Sequence, residues 1–165
     1  MTKKVKFTNI NKSTFYATVR NRVDAYFEEQ NLSVHANGAM WFKAVFFLGT
    51  FITLYFLILL GNFSPLVMLF MAIALGVFGA FVGFNICHDA IHKAFSDKKI
   101  INQSFSFLFS LIGASAYVWS ICHNIVHHTY TNISGHDEDI DVAPGLIRFC
   151  ENEPVNKLQV KFNHF

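Results

Sequence analysis

Residues 44–87 form a run of 44 positions without a single Asp, Glu, Lys, Arg or His. As one helix the run would be roughly 66 Å long, at about 1.5 Å per residue. The hydrocarbon core of a bilayer is only about 30 Å thick. The run is too long for one span and suits two. Gly61-Asn62-Phe63-Ser64-Pro65 forms a tight uncharged turn that divides it into spans at 44–60 and 66–86. Trp41, Phe42 and Lys43 make an interfacial belt before the first span. Ala72, Gly76 and Ala80 recur every four residues in the second span, as do Gly79 and Gly83. Such stripes of small residues let helices pack closely in lipid.

Composition agrees. Charged residues are 15% of the chain, against about 25% in a soluble domain. The 165 residues suit one domain. The net charge of +2 forms no continuous basic patch, so nothing points to nucleic acid. Three cysteines without a Cys-x-x-Cys pattern read as reduced thiols.

Orientation follows from charge. Lys3, Lys4, Lys6, Lys12, Arg20, Arg22 and Lys43 precede the first span; Lys93, Lys98 and Lys99 follow the second; the turn has none. The positive-inside rule puts both ends of the hairpin in the cytoplasm. Residues 1–43 are then a cytoplasmic segment, without a signal-peptide core at the start. Ser13 is a plausible N-cap. Phe15, Val19, Val23, Tyr26 and Phe27 recur at helical spacing against Arg20, Arg22, Asp24, Glu28 and Glu29. This amphipathic helix either lies on the membrane or packs on the domain, and Asn37-Gly38 is expected to break it.

Five of the eight histidines fall in two short boxes, His88-Asp89-Ala90-Ile91-His92 and His123-Asn124-Ile125-Val126-His127-His128. Residues four apart share a helix face, with Cβ atoms about 5–6 Å apart. His88 with His92, and His123 with His127, are thus placed to converge on a metal ion. His128, about 100° further round, is placed to face a second ion. Imidazole suits Zn, Cu, Fe and Ni. A lone histidine on an apolar helix is usually a satisfied core residue; two such pairs with an adjacent fifth histidine are not so explained. Asn85, His88, Asp89 and His92 form one polar stripe where the second span leaves the lipid, and Asp89 is a candidate acceptor that orients an imidazole.

Residues 103–121 are apolar and 19 long, but carry five serines and Gly113-Ala114. Were they a span, the two boxes would lie on opposite sides of the membrane and share no metal. They read as a re-entrant or interfacial segment. The acidic stretch Asp137-Glu138-Asp139-Ile140-Asp141 is no EF-hand, because Val142 and Arg148 occupy the Gly and Glu positions; a solvated loop is expected. Residues 142–165, with Pro144, Gly145 and Pro154, show no span. The expected fold is an all-α integral membrane protein. A transmembrane hairpin leads into a re-entrant or interfacial helix, and residues 87–165 form a cytosolic-face region carrying the boxes.

The boxes resemble those of the membrane fatty acid desaturase family. Residues 88–92 match its first histidine box and 123–128 its second. His127-His128-Thr129-Tyr130-Thr131-Asn132, followed by Gly135-His136-Asp137-Glu138-Asp139, resembles the bacterial acyl-CoA and front-end, linoleoyl-CoA-type branch. The resemblance covers roughly residues 35–150. It implies two non-haem irons held by His88, His92, His123, His127 and His128 together with further ligands. It also implies O2, an acyl-CoA or acyl-lipid substrate, and a bacterial cytoplasmic membrane with the site on the cytoplasmic face. His136 and Asp89 would support the ligands from behind. The family's third box, ending in His-His, has no counterpart here, since His136 and His164 are not followed by His. The chain therefore resembles an N-terminal fragment, expected to be inactive by itself. The His-Pro-Gly-Gly of a fused haem domain is also absent, so electrons would come from a separate ferredoxin or haem carrier with its reductase.

Other classes fit less well. A membrane hydroxylase uses similar boxes. A zinc hydrolase would need Glu where Asp89 stands and leaves the second box unexplained. A bis-histidine haem protein would place its ligands face to face within the bilayer, against the adjacent His127-His128.

Overall fold

The computed structural model describes Val5, Phe7, Thr8 and residues 12–140, and every regular element among them is helical. The stretch 142–165, including His164, lies outside the described residues. Met1–Leu108 and Phe109–Phe165 form two compact units.

In the first unit, α1 runs Phe15–Glu29. Its N-cap is Thr14, one residue later than expected, although Ser13 Oγ accepts from Phe15 N at 3.2 Å. The helix ends well before Asn37, at a turn through Asn31 with φ 50°. Asn37 instead opens the next helix: its Oδ1 accepts from Met40 N at 3.0 Å. Asparagine both stops and starts helices, and here the starting role wins. α2 is then Gly38–Leu60 and α3 is Pro65–Val82, with proline in the first turn, where its missing N–H costs nothing. Both are long and apolar enough to cross a membrane.

The hairpin closes through aromatic rings. Phe47 stacks on Phe81 at 4.9 Å and Phe46 meets Phe78 at 5.9 Å. Of the two small-residue stripes, only Gly79 and Gly83 are buried, and a Cβ on Gly79 would lie 3.3 Å from the Phe51 ring. Ala72, Gly76 and Ala80 are exposed. At the turn, a Cβ on Gly61 would sit 2.5 Å from Leu57 O and against the Phe63 ring. Gly61→Ala should therefore destabilise the hairpin by about 1–3 kcal/mol. Thermal unfolding in lipid checks this, with Gly76→Ala, where no atom lies within 4 Å, as the neutral control.

The segment expected to be re-entrant is not one helix. α5 is Lys99–Leu111, then Gly113 adopts φ 83°, and Ser115 caps the new helix α6, Ala116–Trp119. The 13 residues of α5 reach only about 20 Å. Neither piece alone crosses a hydrocarbon core of about 30 Å.

Candidate metal centre

The first box rides on the end of the second span. α3 passes through a π-helical stretch, Gly83–Cys87, into α4, His88–Ile91, so the helix continues unbroken from Pro65 to Ile91. His88 N donates to Gly83 O, five residues back. One extra residue per turn re-aims whatever follows, which is why such bulges recur at functional sites. The His88 and His92 rings lie with centroids 4.6 Å apart, edge to face. His88 Nδ1 donates to Asp89 Oδ1 at 3.0 Å.

Beyond His92 the chain turns sharply through Lys93, φ 60°. Phe95, 1% exposed, locks the corner between Trp41 at 5.0 Å and Phe105 at 4.9 Å. Ser96 and Asn102 exchange two buried hydrogen bonds: Ser96 N to Asn102 Oδ1 at 3.0 Å, and Asn102 Nδ2 to Ser96 O at 2.7 Å. The N-terminal loop ties in as well, with Ala36 N donating to Phe95 O at 3.1 Å and His35 Nδ1 to Ala94 O at 3.2 Å.

In the second unit the box lies in another π-helical stretch, Ser120–His127, followed by α7, His128–Tyr130. An α-helix would turn His128 away from its neighbours. In the wider turn, residue 123 faces both 127 and 128. The ring centroids of His123, His127 and His128 are 4.9, 5.1 and 5.4 Å apart, so the three imidazoles form one cluster. Trp119 lies against His123 at 5.1 Å and Phe109 at 5.2 Å.

The acidic loop is not simply solvated. Asp137 is 3% exposed and Asp139 half-buried, while Glu138 faces water. His127 Nδ1 donates to both Asp137 oxygens, at 2.9 and 3.0 Å, and His123 Nδ1 donates to Asp139 Oδ2. Asp137 also accepts from Asn132 N at 2.7 Å and Asp139 N at 3.1 Å, which closes the loop on itself. Burial pushes the Asp137 carboxyl up, but donation from His127, Asn132 and Asp139 outweighs it and holds the group below its ordinary value. Neither aspartate stands out in the sequence, because the contacts span 10 and 16 residues, beyond any helical register. His136 packs its ring against Tyr130 at 5.4 Å, and its N donates to Ile133 O at 3.0 Å.

These contacts decide the tautomers. An ionised carboxylate only accepts, so the proton on His88, His123 and His127 sits on Nδ1. Each ring is left with Nε2 as its lone-pair nitrogen, the state a metal requires. A carboxylate behind a ligating imidazole is the usual support for such a ring. One nitrogen each of His123 and His127 and one oxygen of Asp139 lie within 4.8 Å of one another, so the carboxylate is drawn tightly against the ring cluster. The histidine-rich donor set fits iron, along with copper, zinc and nickel.

Comparison with known proteins bears on the chemistry. The fatty acid desaturase family model matches residues 63–162, well over half the chain and both boxes. The chain is 34% identical over 157 residues to the sn-1 linoleoyl-lipid 6-desaturase of Synechocystis, covering 91% of this chain and 41% of that protein. It is 36% identical over 126 residues to the enzyme of the same name from Arthrospira platensis, covering 76% and 34%. It is 30% identical over 151 residues to the acyl-lipid (8-3)-desaturase of Physcomitrium patens, covering 91% and 32%. The chain thus spans roughly a third to two-fifths of the length of these relatives. No solved structure matches it. A span that runs straight into one histidine pair, a second cluster backed by carboxylates and a family match over both place this chain in the fatty acid desaturase family.

Proposed function

We propose that the protein introduces a double bond into the acyl chain of a membrane lipid. The observation that carries this is the set of imidazoles at four-residue spacing, three of them donating Nδ1–H to a carboxylate, with the first pair standing at the end of a span apolar enough for lipid. Relatives named for acyl-lipid substrates favour a lipid over an acyl-CoA.

His88, His92, His123, His127 and His128 would hold two non-haem irons, through Nε2 wherever a carboxylate occupies Nδ1. Bound iron, with O2 and two electrons, would supply the oxidising power to take hydrogens from unactivated methylenes, which no acid–base pair provides. The chain's own residues do the rest. Asp89, Asp137 and Asp139 keep protons on Nδ1 and fix ring orientation. The corner at Phe95 holds the first pair in place, and the apolar hairpin gives the acyl tail a route from the bilayer. Five imidazoles are too few for two irons, so further ligands come from outside these residues, and the 165 residues expressed alone should retain little iron and form no product. The two electrons would come from a ferredoxin or a haem carrier.

Expression of the active protein in a host lacking polyunsaturated lipids tests the reaction. A new double bond in lipid-linked chains is the expected product. A hydroxylated chain, or no change in a host with a competent electron donor, contradicts it. The lysine and arginine pattern around the hairpin favours a cytoplasmic face for the boxes. A cysteine probe at Asn62 should label only from outside, and probes at the exposed Lys98 and Ser134 only from inside.

A further inference from the structure

Helix α1 presents an apolar face that no described residue covers. None of its residues is buried, and Phe15, Val23 and Tyr26 are 74%, 49% and 56% exposed. At about 100° per residue, Phe15, Tyr16, Val19, Val23, Tyr26 and Phe27 fall within one arc of about 120°. Arg22 borders one edge of this arc, with Glu29 about 20° beyond it, and Arg20, 3.8 Å from Asp24, borders the other, while Asp24 and Glu28 lie on the far side.

Reach limits what this face can meet. Residues 30–37 join α1 to α2, and eight residues extend to at most about 26 Å. Ala36 is held at the corner beyond the first box, where α2 begins, so α1 stays close to the membrane end of that helix. The 15 residues of α1 are about 22 Å long. That is too short to cross a core of about 30 Å, and the acidic side would resist insertion. Two arginines at the rim of an aromatic-rich face suit a phosphate layer, where their stems lie on the apolar boundary and their heads reach out to the headgroups. Lys3, Lys4, Lys6 and Lys12, just before the helix, add the same sign of charge.

We propose that α1 lies flat on the bilayer beside α2, with Phe15, Val19, Val23 and Tyr26 at the acyl boundary and Arg20 and Arg22 on anionic headgroups. The inference rests on the hairpin spanning the membrane and not on the reaction. Its occupant is the lipid surface, not another part of the protein.

An environment-sensitive fluorescent amino acid placed at Val19, Tyr26 or Asn21 tests it, in the full protein reconstituted into phosphatidylcholine vesicles containing phosphatidylglycerol. Brominated lipid should quench the probes at 19 and 26, while aqueous iodide should quench the one at 21, since such a helix sits about 5–10 Å into the boundary. Arg20→Glu with Arg22→Glu should move the Tyr26 probe from lipid quenching toward iodide quenching. Iodide access at both 19 and 26 would mean the face is in water. Protection from both quenchers would mean protein covers it. Lipid quenching at 21 would mean the helix is inserted. Each of these three results overturns the proposal, and agreement between 19 and 26 guards against a variant that misfolds.

Discussion

Replacing His127 by alanine in the active protein should reduce desaturation more than about 100-fold, since even the groups behind metal ligands are worth about 10–100-fold in affinity or activity. His127 stands at the centre of the second cluster. Its ring stacks on His123 and meets His128, and its Nδ1 is held by both oxygens of Asp137. The substitution removes a donor, leaves Asp137 buried without its ring partner, and opens a gap beside His123. Bound iron should fall along with product. Alanine at His88, His92, His123 or His128 should be equally severe. His35→Ala serves as the contrast. Its ring donates to the carbonyl of Ala94, so the corner should loosen while activity survives. Full activity in the His127→Ala protein would remove the residue from the site.

Asp137→Asn should lower iron affinity about 10–100-fold while leaving every ligand in place. The change is almost isosteric but reverses half of the chemistry. Asp137 accepts from His127 Nδ1, Asn132 N and Asp139 N, and an amide places two donors where only acceptors serve. At least one buried N–H loses its partner, at a cost of about 1–3 kcal/mol. The His127 ring is then free to carry its proton on the other nitrogen, the one a metal needs bare. The loss should show as weaker iron retention on dialysis, with partial activity restored by excess iron. Acid should mimic it in the unmodified protein. The folded carboxyl lies below the unfolded value of about 3.9, so its contribution to the loop is complete above that pH. It is lost only as pH falls through the lower, folded value. Loop contacts should therefore persist through pH 5 and fail only in stronger acid. An Asp137→Asn protein that binds iron normally would reduce this residue to a loop closure.

The hairpin was legible because lipid imposes a local rule on every residue: a charge-free run of 44 residues with one turn has few other solutions. The histidine pairs were legible for a similar reason, since four-residue spacing keeps two rings together in either helix type. What lies beyond the local register was not. Asn37-Gly38 carries chemistry that both ends and begins helices, and only the bond to Met40 decides between them. The π-helical stretches depend on which carbonyl each N–H selects, and the sequence pattern there still reads as ordinary helix. They change the site, because His128 joins His123 and His127 instead of turning away. Asp137 and Asp139 read as surface charge until the loop folds back, helped by Asn132 and Gly135 with φ of 61° and 75°. The small-residue stripes were half informative: Gly79 faces Phe51, whereas the Ala72, Gly76 and Ala80 row faces outward.

Metal analysis of the purified active protein, combined with its absorption spectrum, tests the central claim most directly. Two irons per chain and no porphyrin band are expected, with iron lost in the His127→Ala protein. One zinc per chain would assign the boxes to hydrolytic chemistry, and one haem would make them axial ligands; either result contradicts a non-haem iron centre.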